Sequence, residues 1–342
     1  MTERKYPFVS VVVITFNRSK LISPCLESLG KQTYPKDRYE VIVVDDGSTD
    51  DTAQIAEAHG VKVVRHAKNR GTPIARNTGL AAVKGEIIAY IDDDAVADPE
   101  WLHYLLRPFE DPKVTATGGQ TFAYKTEYLA ERYLSATGYG NPAPLAFGTS
   151  KNPLWRFFIY LKDMFVPISI ATEPTEVQAV FGLNCAFHIS ALRTIGGFDE
   201  RMAFAEDSEI STRLREQGAR IIFEPQAIIH HRHREGVAYL IRQTYYRTGY
   251  LIYYYTKEKK PLPVFPLPFL YVIMIAAFFF FFAPIIGLLF IVFGPLILYP
   301  WWPIRAFRED HSEYLLYGYI QLALEVAAIL GMVRGRIHGT KR

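Results

Sequence analysis

Four apolar runs near the start of the chain alternate with segments of helical spacing. The run at 8–16, FVSVVVITF, is almost uninterrupted and rich in β-branched residues, which is typical of a strand buried on both faces of a parallel sheet. Similar apolar runs occupy 39–46, 61–66 and 86–91, with helical patterns between them. This alternation predicts βαβ units and an α/β fold with a mostly parallel, doubly wound sheet.

Acidic residues follow two of the predicted strands. Asp45 and Asp46 end the second strand, and Asp92, Asp93 and Asp94 end the fourth. Sheets of this kind bind ligands beyond the carboxyl ends of their strands, so the two groups are expected to share a site. Aspartate is also common in turns and helix caps, which is the alternative explanation for either group taken alone.

The stretch from Pro261 to Ile304 contains no Asp, Glu, Lys, Arg or His. One membrane-spanning helix needs roughly 20 apolar residues, and this stretch is about twice that length. Pro284 and Gly287 lie near its middle, where a reversal is expected. These features predict a transmembrane hairpin over 261–304, with one long helix buried in a soluble core as the alternative.

Basic clusters flank the predicted hairpin at 257–260 and 305–308, which favours a cytosolic position for both of its ends. The last apolar segment carries Gln321 and Glu325 and precedes a basic tail, so for 305–342 we favour a helix in the membrane interface over a third span. The N-terminus lacks the layout of a signal peptide, and we expect the first domain to stay in the cytosol.

Composition narrows the class of protein. The chain has 342 residues, 21% of them charged, and a formal net charge of +3, which argues against a nucleic-acid-binding protein with its concentrated basic face. Cys25 and Cys185 are too few for a disulfide framework and lack the spacing of a zinc site, so a reducing compartment is expected.

Five motifs follow one another between Pro7 and Arg234: VSVVVITFNRSKLISPCLESL, VIVVDDGSTDDT, NRGTPIARNTGLAAVKGEIIAYIDDDA, GLNCAFHISALRTIGGFDE and AEDSEISTRL. Together, in this order, they resemble the family 2 glycosyltransferases, which have the nucleotide-diphospho-sugar transferase fold called GT-A. The resemblance implies a GT-A domain over 1–235. It also implies inverting, metal-dependent transfer of a sugar from a nucleotide sugar.

The family's acid-x-acid pattern falls on Asp92 and Asp94. Alternate side chains of an extended chain share a face, so these two carboxylates are expected to point together and Asp93 away from them. Two carboxylates on one face suit a hard divalent cation, Mg²⁺ or Mn²⁺. The resemblance makes Asp94 the direct ligand, Asp92 a ligand or a ribose contact, and His231 a third ligand, with His233 as the alternative histidine.

The resemblance also implies a nucleotide pocket. Thr15 and Asn17 follow the first strand, where the family borders the base and ribose, and either Asp45 or Asp46 accepts from the base imino N–H. Arg76 matches the family's arginine near the diphosphate, where a cation is electrostatically sensible; a solvent-facing helix residue is the alternative. Asp93 is grouped with the nucleotide-binding residues.

Asp207 in AEDSEISTRL matches the family's acceptor-activating base. The attacking hydroxyl must lose its proton to such a group, and a leaving diphosphate on the opposite face gives inversion. Asp207 and Glu206 are also explained as first-turn residues favoured by a helix dipole. In NCAFHIS the family more often has an arginine where His188 stands, which puts any phosphate or acceptor contact there in doubt.

The segment 236–260 mixes tyrosines with Arg242, Arg247 and lysines, which predicts an interfacial helix. It serves either to bind the phosphate of a lipid-linked or polyprenyl-phosphate acceptor or simply to anchor the chain. Gln243 and Arg247 lack the spacing and the tryptophan of the processive relatives' Gln-x-x-Arg-Trp motif, which favours a single transfer per encounter.

Two other functions compete with this prediction. A sugar-phosphate nucleotidyltransferase has a related sheet, but usually a glycine-rich loop after the first strand, and ITFNRSK is not one. A non-catalytic membrane scaffold with a relict nucleotide pocket would not need acids at 92, 94 and 207.

Overall fold

The computed structural model describes residues 6–138, 171–232, 236–259 and 277–339. These residues divide into two compact units. The first contains the described residues up to 127, then 134–138 and 171–232, and the second contains 128–133, 236–259 and 277–339.

The N-terminal half of the first unit is the predicted series of βαβ units. Its strands are β1 (Val9–Thr15), β2 (Tyr39–Asp45), β3 (Lys62–Arg65) and β4 (Ile87–Asp92), and its helices are α1 (Ile22–Gly30), α2 (Thr52–Ala58) and α3 (Thr72–Ala82). The strands pair in parallel in the order β3-β2-β1-β4. Their carboxyl ends therefore meet at one edge of the sheet, as the sequence predicts.

The apolar run of β1 is buried on both faces. Val9, Val11 and Val13 belong to a core cluster that includes α1, whereas Val12 belongs to a second cluster that includes Ala75 of α3. Because both faces are covered, no polar alternation is needed along the strand, which explains why the run is continuous in sequence.

The second half of this unit adds strands of both directions. It contains β5 (Ala95–Ala97), α4 (Trp101–Leu106), β6 (Val114–Ala123), β7 (Thr175–Glu176), β8 (Asn184–His188), α6 (Ile189–Thr194), α7 (Glu206–Glu216) and β9 (Arg220–His231). The residues of α5 (Leu129–Thr137) are divided between the two units. The described strands form one sheet in the order β3-β2-β1-β4-β8-β6-β9-β5, with β7 also on β9. The α/β class is confirmed.

The parallel arrangement holds for β1–β4, and antiparallel pairs enter where β8 lies between β4 and β6. The whole sheet is therefore mixed. An apolar run of five residues does not indicate the direction of its strand, so the sequence pattern carries no signal for this change.

The second unit is helical, with α8 (Val237–Lys257), α9 (Pro284–Leu298), α10 (Trp301–Arg308) and α11 (Tyr314–His338). Glycines bring α8 and α11 into backbone contact. A Cβ on Gly331 would lie 2.1 Å from the Tyr245 carbonyl oxygen, and one on Gly335 would lie 2.0 Å from that of Gly249. Gly339 lies against the Tyr253 ring. Each step of four residues along α11 is thus matched by a step of four residues in the same direction along α8, so the two helices run parallel.

The predicted hairpin is described only in part, because 260–276 lie outside the described residues. Residues 277–282 are helical, and the chain bends at Ala283 so that Gly287 lies against the backbone of Phe280. This bend occurs where the sequence predicts a reversal. α9 has 15 residues, about 22 Å at 1.5 Å per residue, which is shorter than the roughly 30 Å hydrocarbon core.

Among the described helices, α11 alone has the length and apolar composition that crossing a membrane requires. Many apolar side chains around α9 are exposed, among them Phe281 (82%), Phe282, Ile285 and Leu288. An exposed apolar surface of this size is typical of contact with a membrane or a protein partner.

Candidate active site

The aspartate triplet lies in a tight turn between β4 and β5. β4 ends at Asp92, and β5 begins at Ala95 and pairs antiparallel with the end of β9, where Ala95 is opposite His231. The backbone N–H of Arg232 donates to the Asp94 carbonyl oxygen at 2.9 Å. A histidine more than 130 residues away in sequence is thereby brought beside the acids.

Asp92, Asp94 and His231 form a cluster whose donor atoms all lie within 4.8 Å of one another. His231 Nε2 is 3.0 Å from Asp94 Oδ1 and 3.5 Å from Asp92 Oδ2. Asp94 is buried, whereas Asp92 is 40% exposed. Two carboxylates and an imidazole with one open side fit Mn²⁺ or Mg²⁺, which prefer oxygen ligands and keep positions for water or phosphate.

The charge of this cluster acts strongly on the imidazole. Burial opposes protonation of His231, but the carboxylates of Asp94 and Asp92 outweigh it and raise its pKa to about 10. The same two carboxylates would attract a divalent cation, which His231 would bind as neutral imidazole.

Asp93 is buried next to Arg18. The Arg18 guanidinium lies 3.7 Å from Asp93 Oδ1 through Nε and 3.7 Å from Asp94 Oδ2 through Nη2. Burial, with the neighbouring Asp94 charge, raises the pKa of Asp93 to about 7. The expected alternation of faces applies to extended chain, but residues 93 and 94 form a turn, so one arginine reaches both.

Sequence reasoning missed Arg18, although it directly follows Asn17 in the first motif. Asn17 itself adopts a left-handed backbone conformation with φ of 54°. Its side-chain oxygen accepts from the Thr49 backbone N–H at 2.8 Å, which ties the end of β1 to the loop after β2. Thr15 is the last residue of β1 and is buried.

A cavity of about 380 Å³ opens beyond the ends of β2 and β3. It is lined by Gly47, Ser48, Thr49, Arg65, His66 and Ala67. Asp45 borders this lining: its Oδ1 accepts from the Ser48 N–H at 2.9 Å, and its Oδ2 lies 3.0 Å from Arg65 Nε. The sequence analysis did not identify Arg65.

Asp46 binds a different loop, the one between β3 and α3. It accepts from the backbone N–H groups of Arg70 and Gly71 at 2.9 and 2.8 Å, and its Oδ1 is 2.7 Å from His66 Nδ1. These bonds fix the loop that leads into α3.

Arg76 is not the solvent-facing helix residue of the alternative interpretation. The side chain of Arg76 is 6% exposed, and its Nη1 lies 2.6 Å from Glu206 Oε1. Burial disfavours its charge, but Glu206 and then Asp92 outweigh burial and raise its pKa. Asp207 contributes in the same direction, so one buried cation is surrounded by acids from both halves of the site.

Asp207 lies in the first turn of α7, as predicted. Its Oδ2 accepts from the Gly182 backbone N–H at 3.4 Å, and its Oδ1 accepts from the Ser208 N–H at 2.7 Å. His188 lies elsewhere: it pairs with Ile87 at the start of β4, the edge opposite the acids, and packs on Phe109 with ring centres 4.8 Å apart.

The neighbouring residues His230 and His231 lie on opposite faces of β9. His230 faces away from the cluster, and its Nε2 lies 3.2 Å from Asp98 Oδ1. His233 lies outside the described residues.

Two family models match the chain. The glycosyl transferase family 2 model matches residues 10–170, and the glycosyl transferase family 21 model matches residues 143–318. Together they extend over the first unit and most of the second.

Curated relatives carry related names. Glycosyltransferase AglE of Haloferax volcanii is 36% identical over 138 residues, which are 38% of this chain and 45% of AglE. The chain thus spans less than half of that relative. Glucosyl-dolichyl phosphate glucuronosyltransferase of the same organism is 28% identical over 243 residues, 66% of this chain and 69% of the relative.

Among solved structures, the mannosyltransferase PcManGT from Pyrobaculum calidifontis in complex with GDP-Man and Mn²⁺ is similar to this chain with a TM-score of 0.59. The match covers 96% of this chain and 88% of that one at 22% identity. At this identity the likeness concerns the fold, and it confirms the predicted GT-A class.

Proposed function

Because the chain belongs to the family 2 glycosyltransferases, we propose that it transfers one sugar from a nucleotide sugar to a lipid-linked acceptor, with inversion and with a divalent cation at the site. The observation that carries this proposal is the cluster of Asp92, Asp94 and His231 at the edge of the sheet where ligands bind. Mn²⁺ or Mg²⁺ held there would supply positive charge to the leaving diphosphate.

The nucleotide occupies the ends of β1 and β2 in this proposal. Thr15 and Asn17 border the base and ribose. Of the two acids, Asp45 is favoured as the acceptor from the base imino N–H, because it borders the cavity while Asp46 already holds the loop before α3. Asp93, paired with Arg18, is assigned to the same side of the site.

Asp207 is the proposed general base. It accepts the proton of the acceptor hydroxyl as the oxygen attacks the anomeric carbon. The bond from that carbon to the diphosphate breaks on the opposite face, and its electron pair leaves with the nucleoside diphosphate. Attack and departure on opposite faces invert the configuration.

A lipid-linked or polyprenyl-phosphate acceptor is supported by the second unit. Its exposed apolar side chains and the apolar length of α11 suit attachment to a membrane, and basic clusters at 257–260 and 305–308 favour the cytosolic face. The similarity to a dolichyl-phosphate glycosyltransferase supports the same acceptor class.

Two variants test the mechanism. Asp94→Asn and Asp207→Asn are each expected to lower transfer at least about 100-fold, because each removes a group that acts in the transition state. Asp98→Asn changes an exposed carboxylate on the other face of β9 and is expected to retain activity. Full activity of either test variant would refute the mechanism.

The substrates are identified by two measurements. Calorimetry with UDP, GDP and dTDP, each with and without Mn²⁺, is expected to show metal-dependent binding of one nucleotide. Membranes incubated with a panel of labelled nucleotide sugars are expected to yield one labelled lipid. A scaffold protein would show neither.

A further inference from the structure

Arg76 interacts electrostatically with Glu206, Asp92 and Asp207 of the candidate site, and its side chain is buried. The guanidinium is enclosed by the Tyr90 and Phe198 rings, whose centres lie 5.7 and 5.4 Å from Cζ. Its Nη1 is bonded to Glu206 at 2.6 Å. An arginine that binds a phosphate directs its guanidinium N–H groups at the ligand. The guanidinium of Arg76 is instead desolvated, and its charge is balanced by Glu206.

The ion pair fixes the start of α7. Glu206 is the first residue of that helix and Asp207 the second. Arg76 is buried and Glu206 is 12% exposed, so loss of Glu206 would leave the arginine charged and desolvated. The carboxylate that Arg76 holds is therefore directly adjacent to the proposed base.

A second contact leads from Arg76 to Asp207. The guanidinium packs against the backbone of Gly182, where a Cβ would lie 2.1 Å from Nη2 and 2.5 Å from Cζ. The N–H of that same glycine donates to Asp207 Oδ2. Arg76 thus supports both the helix that carries Asp207 and a donor that orients its carboxylate.

The backbone before α7 also requires such support. Ala205 has φ of 60° and ψ of 21°, a left-handed conformation that costs a non-glycine residue about 1 kcal/mol or more. Conformations of this kind persist where surrounding contacts over-determine them. The Arg76–Glu206 pair is one such contact, one residue away.

We propose that Arg76 is a positioning residue, which acts through Glu206 and Gly182 to aim the Asp207 carboxylate at the acceptor hydroxyl and does not contact the donor diphosphate. This inference rests on the proposed function, in which Asp207 is the general base.

The test separates turnover from nucleotide binding. Arg76→Lys keeps the charge and loses the fork, and Glu206→Gln keeps the shape and loses the charge. Both are expected to lower kcat about 100-fold, as misplacement of a catalytic group by about 1 Å does. The dissociation constants for UDP, GDP and dTDP with Mn²⁺ are expected to change less than about threefold. A tenfold or greater loss of nucleotide affinity in Arg76→Lys would overturn the inference.

A double variant guards against simple misfolding. Arg76→Met and Glu206→Met are made singly and together. The double variant removes both charges, which buried pairs often tolerate, and its kcat is expected to be no lower than that of either Met single variant. Losses in kcat that multiply in the double variant would mean independent roles and would overturn the inference.

Arg213 offers a matched control in the same helix. It pairs at 2.5 Å with the buried Glu209, which lies two residues beyond Asp207. Arg213→Lys is expected to lower the melting temperature without changing kcat. Failure of the proposed function can be told apart from failure of this inference. An active Asp207→Asn variant refutes the assignment of Asp207 as the base. An inactive Asp207→Asn variant, combined with lost nucleotide affinity in Arg76→Lys, refutes only the role of Arg76.

Discussion

His230 and His231 are adjacent in β9 and have different surroundings because successive side chains of a strand point to opposite faces. His231 lies 3.0 Å from Asp94, and His230 lies 3.2 Å from Asp98 on the other face. The pair is therefore an internal comparison in which residue type and strand are the same and only the face differs.

We predict that His231→Ala weakens Mn²⁺ binding about tenfold or more, since even loss of a group that orients a ligand costs 10–100-fold. His230→Ala is expected to change the affinity less than about twofold. Titration of Mn²⁺ in the presence of UDP, GDP or dTDP, followed by paramagnetic resonance or calorimetry, measures both. Equal effects of the two substitutions would contradict the assignment of His231.

At single residues, the sequence predicted the acidic and histidine side chains at the ends of strands. It missed the arginines that turns and loops bring against those side chains. The motifs named Asp92, Asp94 and His231, and the structure brings these three side chains into one cluster. The partners Arg18 and Arg65 could not, because each lies beside its acid only through the geometry of a turn or loop. For Arg76 the motif identified the residue, while its burial depends on Tyr90, Phe198 and Gly182, which come from three other parts of the chain.

At the level of secondary-structure elements, hydrogen bonds of the Asn184 side chain connect its own strand β8 to three others, α4, β6 and β9. Its side-chain N–H₂ donates to the carbonyl oxygens of Gln120 in β6 and Ala227 in β9, and its Oδ1 accepts from Trp101 Nε1 in α4. Asn184 is buried at the start of β8. One amide thus satisfies three polar groups from three neighbours.

We predict that Asn184→Ala lowers the free energy of unfolding by about 3 kcal/mol, because three buried polar groups lose their partner at once. Gln226→Ala removes an exposed amide from β9 and is expected to cost less than about 0.5 kcal/mol. Chemical denaturation of both variants gives the comparison. A loss below about 1 kcal/mol for Asn184→Ala would show that the amide is not essential to this junction.

The elements that the sequence predicted are those that its apolar pattern defines over many residues. β1, β2 and β4 are such runs, and α3 begins with Pro73 in its first turn. β5 has three residues and β7 has two, too few for any periodicity to be recognised. Yet β5 is the strand that brings His231 to the acids, so the element that completes the cluster is one that the pattern cannot reveal.

At the scale of the whole molecule, the two units differ in what they bury. The first unit encloses its apolar residues in two clusters on either side of one sheet. The second leaves large apolar side chains exposed along α9 and α10, with Phe307 91% exposed. Exposed apolar surface of the kind that the second unit carries is typical of contact with a membrane or a protein partner.

The parallel packing of α8 and α11 links their membrane topology. Two helices in backbone contact that point the same way either both cross a bilayer in the same direction or both stay on one side. α8 carries Arg242 and Arg247 in its interior, and each charge near a bilayer centre costs roughly 2.5–3.5 kcal/mol. The length of α11 alone therefore does not decide its topology, and we expect both helices to stay on one side.

Cysteine labelling checks this expectation, because the native Cys25 and Cys185 are both buried and give little background. Ser312→Cys before α11 and His338→Cys at its end are expected to react with an impermeant reagent from the same side of sealed vesicles. Reaction from opposite sides would contradict it. If both helices stay on one side, the chain between α8 and α11 crosses the membrane an even number of times, zero included. It must therefore return to the leaflet from which it departed.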